Sequence, residues 1–307
     1  MSNFFSPADG YDKLEDIREN RVKMGLGIGI HLSDQHLIFK KGQFVIITGH
    51  DNVGKTAWVL WYYCVLSIKY GLTWDIYSAE NSLTSLQRDI MSFLSGKQLN
   101  RMSESELLRN FETMNQYFKF IRNDAQYTAT ELLKISAATK SDGLLIDPFN
   151  SLVSVGGNKH EADYATCGEI RIFCHKTKKS VYVNTHLVTE AARKVYPKDH
   201  DLAGHLMPPN KSDIEGGQKF ANRCDDFICL HRMTQHDTRK TFTEVHVRKV
   251  KDTITGGSVT LLDRPIIFKM WDYSRFECGE QNPLALPKKT ENTNLLKSFA
   301  NDSNFEF

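Results

Sequence analysis

The sequence lacks any long apolar segment. None of its apolar runs reaches the roughly 20 residues that a helix needs to cross a bilayer. The start of the chain also lacks the basic segment followed by an apolar one that is typical of a signal peptide. We therefore expect a cytoplasmic protein with no membrane partner. The 40% of hydrophobic residues among 307 are enough to bury a core.

Cysteine pairing and excess charge are absent as well. The six cysteines form no CxxC pair and have no metal-ligand spacing to histidine, and most fall within apolar segments. This predicts reduced thiols in the core. Lys and Arg number 39 against 37 Asp and Glu, so the net charge of +2 does not itself indicate a polyanionic partner. Any case for nucleic acid must come from local placement.

Short apolar segments rich in β-branched residues alternate with helical patterns. This predicts βαβ crossovers and an α/β fold with a mainly parallel, twisted sheet and helices on both faces. An antiparallel pair of strands is predicted near the C-terminus, joined by a turn at Gly256 and Gly257. The predicted strands are 43–49, 74–79, 117–121, 143–147, 180–184, 226–231, 242–250 and 258–269, and the predicted helices are 56–70, 82–95, 128–140 and 163–178.

The two ends of the chain differ from its middle. Residues 1–24 form an N-terminal segment, in which a thin apolar stripe over 11–24 predicts a helix that packs on its own domain or on a neighbour. Residues 25–278 are expected to form the α/β domain. Over 279–307 the composition shifts to Asn, Lys, Pro and Ser, which predicts a flexible tail.

Residues 49–56 read GHDNVGKT and fit the pattern GxxxxGK[ST] between a buried strand and a helix. Glycines at both ends let successive backbone N–H groups point at a phosphate, and the start of the helix adds its dipole. Lys55 is predicted to reach the β- and γ-phosphates of a nucleotide, and the Thr56 hydroxyl to ligate Mg²⁺. The predicted nucleotide-binding residues of this loop are Gly49, Asp51, Asn52, Val53, Gly54, Lys55 and Thr56.

Two carboxylates are predicted at the same edge of the sheet as this loop. Asp147 ends the apolar strand GLLID, where it can hold the Mg²⁺ ion. Glu80 ends the strand after the phosphate-loop helix and can orient a water for in-line attack on the γ-phosphorus. The alternatives are an aspartate that caps a turn and a glutamate favoured by a helix N-terminus.

An ordered set of motifs extends along the chain: GHDNVGKT, SAENS, LLIDPFN, VNTHLVTEAAR, DIEGGQKFANRCDDFICLHR and VRKVKDTITGG. The set, over roughly residues 25–270, resembles the RecA-like motor domain of DnaB-type replicative helicases, and is more similar to the phage primase-helicase and Twinkle branch than to bacterial DnaB. The resemblance implies an ATP-hydrolysing DNA helicase that forms a ring of six subunits, with ATP at subunit boundaries and single-stranded DNA in the channel. Only about two dozen residues precede the region of resemblance, which begins near residue 25, so no primase domain is expected ahead of it.

The resemblance also implies roles for single residues. Glu80 corresponds to the catalytic glutamate of the helicases, and Asp147 to the aspartate that holds Mg²⁺. His186 in VNTHL matches the polar residue that senses the γ-phosphate; a histidine at that strand end can hydrogen-bond a phosphate directly or through water. A lone histidine without this motif context would more often be a core residue.

Residues 211–226, which we call the channel segment, match the part of these helicases that lines the DNA channel and returns as a strand. Asn222 falls where relatives often carry Gln, and its amide is expected to couple DNA contact to nucleotide state. Gln218 and Lys219 are neighbouring candidates for the same role. Asp225 matches an acidic position just before the strand.

Relatives end their penultimate strand with a Lys-x-Arg pattern that reaches into the neighbouring subunit's active site. Lys249 matches the lysine, and Lys251 stands where the arginine is expected, with Arg248 as an alternative. Lysine lacks the planar fork that binds two phosphate oxygens, so weaker stabilisation in trans is expected. The competing interpretation is a solvated, charged strand end.

Two loops are candidates for binding single-stranded DNA through phosphate contacts that do not depend on sequence. The first, 155–163, contains Lys159 and His160. The second, 189–213, is longer than the roughly 15 residues usual within a compact domain. Its basic residues are Arg193, Lys194, Lys198 and Lys211, and ordinary polar surface loops remain the alternative.

The last residues place Phe305 and Phe307 beside Asp302 and Glu306. Related phage helicases use such a tail to hold a polymerase, so we expect either docking of a replisome partner, polymerase or primase, or a disordered end without a role. The rival functions are a RecA-like recombinase that binds single-stranded DNA, a KaiC-like regulatory ATPase that binds none, and an assembly or loader subunit with a degenerate ATPase.

Overall fold

A computed structural model describes residue 6 and residues 10–154, 159–215 and 217–285. Within these ranges nine strands form one sheet. The strands are β1 (Phe44–Gly49), β2 (Trp74–Ser78), β3 (Phe118–Phe120), β4 (Gly143–Asp147), β5 (Ser180–Thr185), β6 (Asp226–His231), β7 (Phe242–Val250), β8 (Ile266–Trp271) and β9 (Arg275–Cys278). The helices are α1 (Tyr11–Arg18), α2 (His31–Asp34), α3 (Lys55–Tyr70), α4 (Leu83–Ser95), α5 (Glu104–Tyr117), α6 (Ala129–Ala137), α7 (Lys159–Thr177) and α8 (Gln218–Arg223).

The strand order is β3-β2-β4-β5-β1-β6-β7-β8-β9. In this order, the first six strands, β3, β2, β4, β5, β1 and β6, are parallel to one another. Strands β7, β8 and β9 continue the sheet in antiparallel pairs. This confirms the predicted α/β fold with C-terminal antiparallel strands. We call the side where the parallel strands end the carboxyl edge, and the side where they begin the amino edge.

Alternate residues of β1 face two separate hydrophobic cores, as expected for a strand buried on both faces. Val45 and Ile47 pack with α3, α4 and α5, whereas Phe44 and Ile46 pack with α6, α7 and α8. Helix α3 is buried from Trp58 to Ser67, because it packs against the sheet, for example with Trp61 on Phe268 of β8, and against α4. The helix predicted over 56–70 is therefore confirmed, with the bounds Lys55–Tyr70.

Several local predictions were wrong. The strand predicted at 258–269 begins only at Ile266, because residues 251–265 form a connection that hydrogen-bonds to the N-terminal part of the domain, for example from Gly25 N to Thr255 O. Strand β9 was not predicted at all. Helix α1 stops at Arg18 rather than near 24, and Asn20 has a left-handed φ of 54°, a conformation that ends a helix.

Helix α5 was missed because only Asn110 and Met114 are buried in it, so its apolar stripe is too thin to detect. The capping box of Ser103 and Glu106 was the available signal. The six cysteines are free and buried, as predicted. Among the described residues, no helix combines the length and apolar character needed to span a bilayer. The predicted tail residues 286–307 and loop residues 155–158 lie outside the described part of the chain.

Candidate active site

The phosphate loop connects β1 to α3 at the carboxyl edge of the sheet. Its glycines meet two different requirements. A Cβ on Gly49 would lie 2.4 Å from the carbonyl oxygen of Leu230, so no larger residue fits beside β6 there, and Gly54 has a left-handed φ of 85°, which favours glycine. The buried side chain of Val53 anchors the loop to the domain. The loop therefore has the backbone shape that its sequence predicts.

The ammonium of Lys55 lies inside this loop. It donates hydrogen bonds to the carbonyl oxygens of Gly49 at 3.0 Å and His50 at 3.1 Å. Burial lowers the pKa of Lys55, while Asp51, Asp147 and others act in the opposite direction. The ammonium is thus held where the loop would surround a phosphate.

Asp147 is the centre of a hydrogen-bond network that joins four elements. Its Oδ2 accepts from the hydroxyl of Thr56 at 2.7 Å, from the hydroxyl of Ser78 at 3.0 Å and from Nδ2 of Asn81 at 3.3 Å. Its Oδ1 accepts from Nδ2 of Asn184 at 2.7 Å. The carboxylate is only 3% exposed, so these donors fix its position. Ser78, Asn81 and Asn184 were not singled out from the sequence.

Glu80 and His186 meet at the mouth of the same cleft. Nε2 of His186 lies 3.1 Å from Oε1 of Glu80, and Nδ1 of His186 lies 3.9 Å from Oδ1 of Asp51. The glutamate is 57% exposed at its side chain, so water can reach it. A cleft of about 540 Å³ is lined by the predicted residues Asp51, Asn52, Gly54, Lys55, Thr56, Glu80, Asp147 and His186, together with Ala57, Asn81, Asp89 and Pro148.

A second cavity, of about 480 Å³, adjoins this cleft and shares Ala57 and Asp89 with it. Its walls are more apolar and include Phe93, Met270 and Tyr273. These residues come from α4, β8 and the turn after β8, which are brought together only by the tertiary fold. Sequence analysis gave no signal for this cavity.

Arg232 is a buried cation next to the phosphate loop that the sequence analysis also missed. A Cβ on Gly54 would lie 3.3 Å from its Nη2. The guanidinium donates to the hydroxyl of Thr243 at 2.6 and 3.1 Å and contacts the sulfur of Met270 at 3.6 Å. Within the described part of the chain it forms no ion pair with a carboxylate, and burial lowers its pKa.

Three buried histidines lie on β7 and at the ends of β1 and β6. The rings of His50 and His231 are 5.8 Å apart in an edge-to-face arrangement, and Nε2 of His246 lies 3.2 Å from Oε2 of Glu244. Burial lowers the pKa of each histidine, and that of His231 to about 4. These rings are therefore neutral at pH 7.

The structure does not bring Asn222, Lys249 or Lys251 to the phosphate loop of the same chain. In the register of the sheet, Gly49 pairs with Leu230 near the end of β6, whereas Lys249 pairs with Phe227 at its beginning. Helix α8, which contains Asn222, directly precedes β6. All three residues, with Arg248, lie towards the amino edge, because β7 runs antiparallel to β6. Any contact between them and a nucleotide would have to be made in another subunit.

The first predicted DNA loop, 155–163, was partly wrong, because residues 159–163 form the start of α7 rather than a loop, and residues 155–158 lie outside the described part of the chain. The side chains of Lys159, His160, Gln218 and Lys219 lie outside the described residues. The loop 189–213 is folded back on itself: Lys194 forms a 2.5 Å ion pair with Asp213, and Val195 pairs with Leu206. The other basic residues of this loop, Arg193, Lys198 and Lys211, are at least partly exposed.

The strand order, the phosphate loop and the two carboxylates at its edge define a RecA-like P-loop fold. No family model matches the chain. It is 25% identical over 277 residues to the Twinkle homolog protein, chloroplastic/mitochondrial, of Arabidopsis thaliana, an alignment that covers 83% of this chain and 37% of that protein. The chain thus spans little more than a third of that relative's length.

Two solved structures share the fold. One is an ATPase domain, which matches with a TM-score of 0.71 and 14% identity over 88% of this chain and 99% of that one. The other is a DnaB-like replicative helicase, studied with its interactions with primase, which matches with a TM-score of 0.69 and 15% identity over 90% of this chain and 67% of that one. The chain therefore has the fold of a DnaB-like helicase ATPase domain, and in sequence it is similar to a Twinkle homolog.

Proposed function

We propose that this chain is the motor domain of a replicative DNA helicase, which hydrolyses ATP with Mg²⁺ to move along single-stranded DNA as a ring of six subunits. The observation that carries the proposal is the convergence of Lys55, Thr56, Asp147, Glu80 and His186 on one cleft. Such a set of a phosphate cradle, a metal-binding carboxylate, a base and a phosphate sensor is what phosphoryl transfer requires.

The donor set fits Mg²⁺. The Thr56 hydroxyl and the Asp147 carboxylate are oxygen ligands 2.7 Å apart, and adjacent ligands of an octahedral Mg²⁺ site lie roughly 2.9 Å apart. Within the described residues no cluster of three or more His, Cys, Asp or Glu side chains could hold a metal alone, so phosphate oxygens would complete the ligand set. The ion would neutralise charge on the phosphates.

In the proposed reaction the Lys55 ammonium donates hydrogen bonds to the β- and γ-phosphate oxygens instead of to the loop carbonyl oxygens. Glu80 orients a water for attack on the γ-phosphorus. His186, which already contacts Glu80, would hydrogen-bond the γ-phosphate and so couple its presence to the start of loop 189–213. The second cavity provides space for the nucleoside beyond the phosphates, and the buried charge of Arg232 is placed to favour an anionic ligand.

Residues at the amino edge supply the assembly part of the proposal. Because Lys251 lies far from its own phosphate loop in the sheet register, we propose that it serves the ATP of a neighbouring subunit. Residues 155–163, of which 159–163 begin α7, and loop 189–213 would face the DNA together with Asn222. We further propose that the chain belongs to the phage and Twinkle branch, and that residues around Phe305 and Phe307 dock a replisome partner.

Two rival functions share this fold. A RecA-like recombinase would form filaments rather than closed rings, and a KaiC-like regulatory ATPase would not bind DNA. The deciding experiment is to measure ATP turnover with and without single-stranded DNA, with electron microscopy of the same sample. We expect DNA-stimulated turnover and closed rings. Filaments would favour the recombinase. ATP turnover that does not rise with single-stranded DNA would favour the regulatory ATPase, or the third rival function, an assembly or loader subunit.

A further inference from the structure

Lys249 is partly buried and is bound within its own chain. Its Nζ donates to the carbonyl oxygen of Ala221 at 2.7 Å and to that of Cys224 at 2.6 Å. Ala221 lies in the last turn of α8 and Cys224 directly follows the helix, where carbonyls lack a backbone N–H partner within the helix. Apart from Lys249, the Ala221 carbonyl accepts a weak hydrogen bond from the Cys224 thiol at 3.4 Å. An ammonium at this position satisfies them and faces the negative end of the helix dipole.

Lys251 differs from Lys249 in both exposure and partner. Its side chain is 44% exposed, and its Nζ lies 3.2 Å from Oδ1 of Asp225. If it left, Asp225 would keep the backbone N–H of Phe44 at 3.0 Å and the guanidinium of Arg171 at 3.7 Å. Departure of Lys249 would instead leave two carbonyl groups without their charged donor, which is the costlier change.

Helix α8 needs such contacts, because a helix of six residues is too short to be stable alone. Two others are visible. The ring of Phe220 packs edge-to-face on Phe149 at 4.7 Å, and the guanidinium of Arg223 lies 4.1 Å from the ring centre of Tyr164. The hydrogen bonds from Lys249 are the third such contact. Together these contacts fix the part of the channel segment that contains Asn222.

We propose that Lys249 is a positioning residue of its own subunit: it holds α8, and with it the channel segment, while Lys251 alone is presented to the neighbour's nucleotide. The inference rests on the proposed function for the role of the channel segment, but the contact between Lys249 and α8 does not. Loss of the Lys249 ammonium should therefore release α8 and weaken DNA binding, without altering nucleotide binding by the same chain.

The first test is hydrogen exchange on the full chain. Lys249→Met keeps the length of the side chain and removes the ammonium, and Lys251→Met is the matched control. Because a hydrogen bond to a charged group contributes substantially to stability, we expect amides of residues 218–224 to exchange about tenfold faster in Lys249→Met and at the wild-type rate in Lys251→Met. Unchanged exchange in Lys249→Met would overturn the proposal.

The second test is affinity for a single-stranded oligonucleotide, with the affinity for a fluorescent ATP analogue measured alongside. We expect Lys249→Met to bind the oligonucleotide about tenfold more weakly and the analogue as the wild type does. Lys249→Arg, which can still donate to both carbonyls, should recover most of the DNA affinity. If Lys249 had only a structural role, Lys249→Met would lower thermal stability without weakening DNA binding selectively over binding of the ATP analogue.

A mixing experiment separates action within a subunit from action on a neighbour. Chains with Lys249→Met are mixed with chains with Lys55→Ala, and DNA-stimulated ATP turnover is measured. If Lys249 acted on the nucleotide of the neighbouring subunit, the Lys55→Ala chain would supply an intact Lys249 to the intact phosphate loop of the Lys249→Met chain. ATP turnover would then recover in the mixture. We expect no turnover above the sum of the separate samples, and a clear gain would overturn the proposal. Should wild-type chain bind no DNA, the proposed function fails, and hydrogen exchange alone decides this inference.

Discussion

The two edges of the sheet are organised differently. At the carboxyl edge, Asp147 accepts hydrogen bonds from four side chains, and Lys55 is enclosed by the loop it belongs to. At the amino edge, Lys249 binds backbone carbonyls and Lys251 binds one carboxylate at the surface. The carboxyl edge therefore fixes its polar side chains around a cleft within one chain, whereas at the amino edge Lys249 stabilises the fold and Lys251 stays partly exposed.

The strongest way to break this comparison is to remove the enclosed cation at the carboxyl edge. Lys55→Ala should lower ATP turnover by at least about 10²-fold, because a fixed charge that contacts the transferred phosphate is lost. Phosphate release measures the effect. Lys134→Ala, at an exposed position of α6, is the control and should behave as the wild type.

Glu80→Gln tests whether the same edge holds the base. We expect nucleotide binding to persist while turnover falls by about 10²-fold or more, because the amide cannot accept a proton from water. Binding of a fluorescent ATP analogue and single-turnover hydrolysis separate the two steps. Normal hydrolysis by this variant would show that another group activates the water. Glu112→Gln, at an exposed position of α5, is the matched control.

Arg232→Met asks whether the buried guanidinium serves a ligand or the fold. Since it forms no ion pair within the described residues, replacing it with an apolar side chain should leave thermal stability unchanged or raise it. Affinity for ATP should fall roughly ten- to a hundredfold, the effect of losing a charge-assisted hydrogen bond. Calorimetry gives both values. A large loss of stability with unchanged affinity would contradict a ligand-binding role.

Asn184→Ala and Ser180→Ala compare the two edges along a single strand. Both side chains are buried, at opposite ends of β5, and Ser180 donates to the carbonyl of Lys40 at 2.8 Å. Each variant should lose about 1–3 kcal/mol of unfolding free energy, measured by urea denaturation. Only Asn184→Ala should also raise the Mg²⁺ concentration required for turnover, because Asn184 orients Asp147.

The two edges should also respond to pH with opposite sign. Burial lowers the pKa of His231 from 6.5 to about 4, opposed by Glu244 and reinforced by His50 and His246. Below pH 6.5 His231 becomes protonated in the unfolded chain, whereas in the folded chain it stays neutral until the pH approaches 4. Stability from this group is therefore lost as the pH falls from 6.5 towards 4.

Asp226 at the amino edge behaves the other way. Burial raises its pKa from 3.8 to about 6, with Lys40 and Lys249 lowering it and Asp225 and Asp252 raising it. The folded chain keeps this proton while the unfolded chain releases it, so stability is lost as the pH rises from 3.8 to 6. Between pH 4 and 6, denaturation of His231→Phe and Asp226→Asn should therefore deviate from the wild type with opposite slopes. Equal slopes would contradict the assignment.

Sequence patterns predicted the residues whose spacing along the chain is fixed by a strand, a loop and a helix. Lys55 and Thr56 follow one strand after the short phosphate loop, and Asp147 ends another strand, so parallel packing brings them together. Asn184 and Arg232 lie at the same edge, but neither belongs to a motif with a physical requirement visible in the sequence. Their roles depend on which strands become neighbours.

The amino edge illustrates the same limit in another way. The pattern around Lys249 and Lys251 indicated exposed residues for a neighbour, and no spacing rule could reveal that the carbonyls of α8 lie within reach of the first lysine. The late start of β8 has a similar cause, because residues 251–265 bind to distant parts of the chain. Tertiary contacts decided both outcomes.

The edge-to-face contact of Phe149 and Phe220 has an evolutionary consequence. Phe149 follows Asp147 by two positions, so its ring connects the end of β4 to α8. A smaller side chain at either position would leave a void beside the other ring. In an alignment of homologues these two positions should therefore covary, with a change of size at one accompanied by a compensating change at the other.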